Sequence, residues 1–188
     1  MINLDKDNDE RIRQGDILKD IEYIESYNED KGIVEISKII FPYVIVVTQD
    51  CDLQQDHNER IAPKNPEKQD KYLISIIVIP LYNHIHCKNG EHLSDLSLKM
   101  EKYNTDRWKI IKQNNNPRYH YLELEGQLGL VDLVADFKHY FTINVRQTES
   151  EYNKHFVGKL PSLYRELISQ RFSNYLSRIG LPEPGVHE

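Results

Sequence analysis

The segment Pro42-Tyr43-Val44-Ile45-Val46-Val47-Thr48-Gln49-Asp50-Cys51-Asp52 is the most informative stretch of this 188-residue chain. Residues 43–47 are apolar or β-branched without a break, which predicts a strand buried on both faces. The run then meets two carboxylates flanking a thiol. Polar groups at the end of a buried strand are costly unless something satisfies them, and ligand or catalytic groups gather at such ends. If the strand continues, Asp50 and Asp52 face one way and Cys51 the other. If a helix begins there, the acids serve its exposed amides instead.

Outward from this segment the chain divides into short elements. Gly15-Asp16-Ile17-Leu18 reads as a turn entering a strand, 21–27 as a second strand, and Asn28-Glu29-Asp30-Lys31-Gly32 as a turn. Residues 33–40 make a further strand, with Pro42 at a bend or strand start. Downstream, 52–60 have weak helical character, 62–71 form a polar loop, and 72–81 give a second strongly buried strand. Leu96, Met100, Tyr103, Trp108 and Ile111 predict a helix over 94–112, ended by Asn114-Asn115-Asn116-Pro117. Residues 118–124 alternate as a strand, and 128–133 and 139–145 follow as others. The strongest helical pattern is 161–179. Pro161 sits in its first turn, Leu163, Leu167, Ile168, Phe172, Tyr175, Leu176 and Ile179 form an apolar stripe, and Gly180 stops it.

These elements predict a single domain over 1–188, mostly β with α additions: a small antiparallel barrel with a helical insertion and a C-terminal helix. The arm is 1–13, the barrel strands fall in 14–90 and 116–146, the insertion is 94–113 and the last helix is 161–180. Strands without regular intervening helices argue against a doubly wound parallel sheet.

Composition narrows the class. Charged residues at 29% and hydrophobic residues at 39% fit a soluble globular protein whose length supports a core without staples. A net charge of −6 argues against broad electrostatic binding to nucleic acid, while leaving room for a local basic groove. Cys51 and Cys87 make no disulfide framework. The start, Met1-Ile2-Asn3-Leu4-Asp5-Lys6-Asp7, lacks the basic and apolar regions of a signal peptide, and no apolar run reaches membrane-spanning length. The expectation is a cytoplasmic protein with free thiols and no membrane partner.

Four groups of residues carry candidate chemistry. Asp50 and Asp52 could hold a divalent cation or act as general base, and Cys51 near a helix N-terminus could act as nucleophile; routine helix capping is the structural alternative. His84, His86, Cys87 and His92 are metal-ligand types, but His-x-His-Cys-x4-His matches no standard zinc spacing, which favours a surface hairpin loop. Apart from that divalent cation, no cofactor is expected. Arg118, His120 and Tyr121, with Tyr119 between them, could offer single-stranded nucleic acid a stacking and phosphate-binding strand, or form an edge strand whose tyrosines cover the core. Asp136, Lys138 and His139 could orient an imidazole for acid–base work, or tie down a turn. The catalytic set is then Asp50, Cys51, Asp52 and His139. Arg171 and Arg178, one heptad apart on the last helix, either grip a partner or are solvated.

Three stretches carry a family likeness. Gly15-Asp16-Ile17-Leu18, residues 42–48 and Ile76-Ile77-Val78-Ile79-Pro80-Leu81 together resemble the MazF/PemK-like toxins. Members of that family open with a Gly-Asp-Ile/Val strand, continue with an Arg-Pro-Val-Val-Val-Ser-type central strand, and follow with an apolar strand ending near proline. The likeness covers roughly the first half and implies an SH3-like barrel. In the toxins it also implies a metal-independent endoribonuclease working as a dimer. Thr48 stands at the Ser/Thr that closes the family's central strand, implying a nucleic-acid- or partner-binding position. Phe41 replaces the arginine before the proline, so the likeness bears on barrel geometry more than on cleavage. Arg118-Tyr119-His120-Tyr121-Leu122 and Arg178-Ile179-Gly180-Leu181-Pro182 resemble uncharacterised bacterial defence-associated proteins. Three functions follow as expectations. The first is a toxin or anti-phage component, a homodimer where the toxin likeness holds, whose barrel binds RNA, DNA or a partner protein. The second is a nuclease or nucleotide hydrolase centred on Asp50, Cys51 and Asp52. The third is a non-catalytic adaptor docking through its last helix.

Overall fold

The computed structural model describes residues 1–8, 11–62, 67–124, 126 and 128–178. Its longest strands are β1 (Asp16–Asp30) and β2 (Ile33–Val46), paired antiparallel over almost their whole length. One continuous ribbon thus stands where the pattern suggests four short strands. Lys31 and Gly32 at its tip both have positive φ (50° and 78°), the two-residue turn that matches ribbon twist. Pro42 does not start the strand. Pairing passes from Lys19–Tyr43 to Ile21–Phe41, leaving Pro42, with no N–H to give, opposite Asp20 in left-handed backbone (φ 55°).

Five shorter strands follow: β3 (Ser75–Asn83), β4 (Tyr119–Leu122), β5 (Leu133–Asp136), β6 (Phe141–Asn144) and β7 (Phe156–Lys159). The seven strands form one antiparallel sheet in the order β4-β5-β3-β2-β1-β7, with β6 also on β3. The sheet is open, ending at β4 and β7. The mixed α and β composition with an antiparallel sheet is as expected from the sequence. The arm is fixed to the fold, because its backbone reaches both ends of the sheet. Ile2 N–H donates to the Glu123 carbonyl at 2.8 Å, and Asp5 and Lys159 exchange both backbone hydrogen bonds, at 2.9 and 2.8 Å. Ile2, Leu4 and Ile12 are buried.

The helices are α1 (Asp50–Ile61), α2 (His84–Asn89), α3 (Thr105–Lys112), α4 (Val145–Ser150), α5 (Tyr152–His155) and α6 (Ser162–Leu176). Two expectations are corrected here. The helix expected over 94–112 forms only as a 3-10 turn (Ser94–Leu96) and α3, because Ser97 is left-handed (φ 59°) and Asn104 caps α3 by accepting from the Arg107 N–H at 2.9 Å. The loop expected over 84–92 is α2, closed by Gly90 at φ 75°. Elements of four to six residues (α4, α5, β7) were too short to leave a periodic signal. On α6, Ile168 and Phe172 are buried but Leu163 is exposed, so the stripe is narrower than the pattern suggests. Ile179, Gly180, Leu181 and Pro182 lie outside the described residues.

The central run is buried on both faces, as its composition predicts. Ile45 and Val47 point into a core with Ile17, Ile79, Leu81, Leu122 and Leu133, closed by Ile168 and Phe172 of α6 and by Ile2 and Leu4 of the arm. Val44 and Val46 point the other way, onto Leu18, Ile21, Ile76, Val78, Leu53 and Tyr152.

Candidate functional site

A loop in the sheet creates the densest polar centre. β5 and β6 pair with successive parts of β3, and five residues, 136–140, lie where β3 supplies two, 79 and 80. The excess folds into a 3-10 turn (Phe137–His139) and leaves the Asp136 carboxylate fully buried. Arg118, just before β4, grips it as a fork: Nε–H donates to Oδ1 at 2.8 Å and an Nη2–H to Oδ2 at 2.6 Å. The Lys138 backbone N–H adds a third bond at 3.0 Å, and His139 Nδ1 lies 3.1 Å from Oδ2. These hydrogen bonds hold the Arg118 guanidinium above its ordinary pKa in spite of burial.

Three further groups surround the pair. Tyr82 Oη is 3.2 Å from His139 Nδ1. The His92 ring packs 4.8 Å from that of Tyr82, with both of its nitrogens buried. Cys87 is fully buried, and burial, with the Asp136 charge behind it, pushes its thiol up to about 12. Burial lowers the pKa of both histidines, outweighing the Asp136 charge, so both imidazoles are neutral at pH 7. The centre therefore presents a neutral imidazole backed by a carboxylate beside a protonated phenol.

This centre opens on two adjoining clefts. The smaller, of about 220 Å³, is walled by Phe41, Phe141, Leu93 and Leu96, with Tyr82 and His139 supplying the polar surface. Phe41 and Phe141 stack at 4.9 Å, and Tyr23 meets Phe141 edge-on at 5.2 Å. The larger, about 700 Å³, shares Phe41, Tyr82, Leu93 and Leu96 and adds His86 and His92.

The acid–thiol–acid tip lies elsewhere. Asp50, Cys51 and Asp52 form the first turn of α1, after Gln49 at the cap position. Asp50 is held by the buried Arg11 through two hydrogen bonds of 3.1 Å; burial opposes its ionisation, but Arg11 keeps the carboxyl below its ordinary pKa. Cys51 and Asp52 are exposed. The partners of the tip thus include Arg11, whereas Arg118 and His139 are engaged with Asp136. Thr48 Oγ1 accepts from the Ile77 N–H at 2.6 Å and joins the end of β2 to β3.

Arg118 is half-buried, while His120 and Tyr121 lie wholly inside, so β4 does not present its rings to a bound strand. Burial, helped by Arg171, pushes His120 down to about 3, and its Nδ1 has no hydrogen-bond partner. Arg171 is no solvated partner grip: it donates to the carbonyls of Asn114, Asn116 (2.7 Å) and Tyr119 (2.9 Å), tying α6 to the turn before β4. His84 Nδ1 contacts the Asp132 carbonyl, Cys87 and His92 belong to the buried centre, and His86 lies at the cleft. Among the described residues no group of three or more His, Cys, Asp or Glu is placed to hold a metal ion.

Another buried carboxylate, Asp16, carries no local sequence signal of its burial. Asp16 accepts from Tyr152 Oη at 2.7 Å and from the Arg13 N–H at 2.6 Å, and burial pushes it up to about 6. Gly15 before it has φ 87° and packs against the Arg165 side chain, where a Cβ would come within 2.9 Å. Tyr82 also carried no local signal, since it sits in an apolar run. No family model matches the sequence, and no curated protein is significantly similar to it. Among the described residues no helix is long and apolar enough to cross a membrane.

Proposed function

We propose that this chain is a protein-docking component that engages its partner through the β1–β2 ribbon, in a toxin or anti-phage assembly of the kind the MazF/PemK likeness implies. The observation that carries this reading is one face of the ribbon. Beyond Leu18 and before Val44 the two strands pair only with each other among the described residues. Their register puts Ile24, Tyr27, Val34, Ile36 and Ile40 on one side, each more than half exposed. Isolated two-stranded ribbons are marginal in water, and contiguous exposed apolar surface marks contact sites.

Charge favours a basic protein over nucleic acid. Residues 20–40 hold six acids (Asp20, Glu22, Glu25, Glu29, Asp30 and Glu35) against Lys31 and Lys38, a balance of −4. That field repels phosphates and opposes a second copy of the same ribbon. Support for the SH3-like barrel comes from the arm, which hydrogen-bonds both ends of the open sheet around the core that Ile45 and Val47 enter.

A photo-crosslinker at Tyr27 in the native host is expected to give one discrete adduct, lost on Ile24→Glu/Ile36→Glu while far-UV circular dichroism and Tm are retained. An adduct unchanged by the double substitution would overturn the reading, as would a mass equal to two copies of this chain.

A further inference from the structure

We propose that the cleft between Phe41, Phe141 and His139 binds an uncharged bicyclic aromatic molecule that donates one N–H to His139 Nε2. Indole is the simplest member of that class. This inference is independent of the ribbon reading, because it concerns a concave site and a small ligand.

Size selects the ring system. A cavity of roughly 150 Å³ holds a benzene ring. The 220 Å³ here has room for a fused pair. The stacked Phe41–Phe141 pair and the edge-on Tyr23 give that ring aromatic surface on which to pack. Leu93 and Leu96 complete the wall. With so little polar lining, a charged ligand would lose its hydration without compensation.

The polar end selects the donor. Asp136 is anchored by Arg118 and the Lys138 N–H, so its Oδ2 fixes the His139 proton on Nδ1, 3.1 Å away. Tyr82 Oη lies 3.2 Å from the same nitrogen, where with Nδ1 protonated it can only accept. Nε2, the ring nitrogen that Asp136 does not engage, is then the lone-pair acceptor that His139 can offer the cleft it lines, fixed in tautomer by a carboxylate that the sheet buries completely. Such an acceptor pairs with an N–H and not with a second lone pair.

The test is titration of the full chain with indole and with indene, which has the same shape and no N–H, followed by 15N-resolved chemical shifts of the His139 ring and by calorimetry. Indole is expected to saturate, to move the His139 Nε2 resonance, and to bind roughly tenfold more tightly than indene, the worth of one hydrogen bond. His139→Phe should bring indole down to the level of indene. Leu98→Trp, at the exposed cleft mouth, should block both without touching the core. Absence of saturation by either compound, equal affinities on the unaltered chain, or an unmoved His139 resonance would each overturn the proposal. Because indole and indene are compared on the unaltered chain, the outcome stands even if His139→Phe fails to fold.

Discussion

Asp50 and Asp136 each receive an arginine fork, yet they sit in opposite surroundings. Asp50 is at an exposed helix start, with about a quarter of its side chain open to solvent, while Asp136 has none. Each also has a cysteine nearby: Cys51 is exposed, whereas Cys87 is buried within the field of Asp136. The dense polar triplet marks only where β2 gives way to α1. The buried centre is drawn from positions 82, 87, 92, 118, 136 and 139, which share no local pattern. Local density and burial are different properties, and only the second changes what a side chain can do.

The sharpest way to break this contrast is thiol labelling. Raising the Cys87 pKa from 9.0 to about 12 lowers its thiolate population on the order of a thousandfold, before steric protection is counted. With a maleimide at pH 7.5, mass spectrometry should show one adduct at Cys51 in the native protein and a second only after denaturant. Rapid native labelling of Cys87 would mean that the centre is not closed as described.

Next in size is Asp136→Ala, which strands the Arg118 charge and removes four interactions at once. Breaking a buried pair in this way costs about 3–5 kcal/mol, read as a fall in ΔG of unfolding in urea. A loss below about 1 kcal/mol would put Asp136 in the same class as a surface acid. Asp136→Asn, which keeps the shape, should recover part of the loss.

Acid stability separates two other buried groups by sign. His120 titrates near 3 folded and near 6.5 unfolded, so its contribution is complete above pH 6.5 and is lost as pH falls toward 3. Relative to wild type, His120→Phe should gain about 3 kcal/mol between pH 6.5 and 4. Asp16 has the opposite sign, since its folded pKa of about 6 lies above the unfolded 3.8. Its contribution is complete below 3.8 and is lost as pH rises through 6, so Asp16→Asn should gain about 2 kcal/mol between pH 4 and 6. Parallel curves for wild type and either variant would show that the residue is not buried in the charge state described.

How much of this was legible follows from burial period and chain distance. Residues 43–47 and 76–81 announce doubly buried strands because no other state accommodates an unbroken β-branched run. In sequence the ribbon resolves into fragments because Pro42 and the polar residues of 19–40 mimic strand ends, although opposite Asp20 a proline needs no ladder partner. The 94–112 helix failed because apolar spacings near four also arise where Leu96, Met100 and Tyr103 pack on one core from irregular chain. His139 and Arg118 were named as candidates separately. Their meeting at Asp136 depends on the three-residue excess between β5 and β6, which only the pairing register reveals.

The smallest effect tests the tip itself. Asp50→Ala leaves the buried Arg11 guanidinium with its bond to the Ile12 carbonyl but without its carboxylate, while solvent still reaches the vacated side. The expected loss is about 1–2 kcal/mol, between the values for exposed and buried pairs. Asp52→Ala, at an exposed first-turn position, should stay within about 0.5 kcal/mol, the size of a helix-dipole contribution. If both substitutions cost as little as Asp52→Ala while abolishing a cellular phenotype, the tip carries chemistry rather than structure. The contrast between the two carboxylates would then describe stability alone.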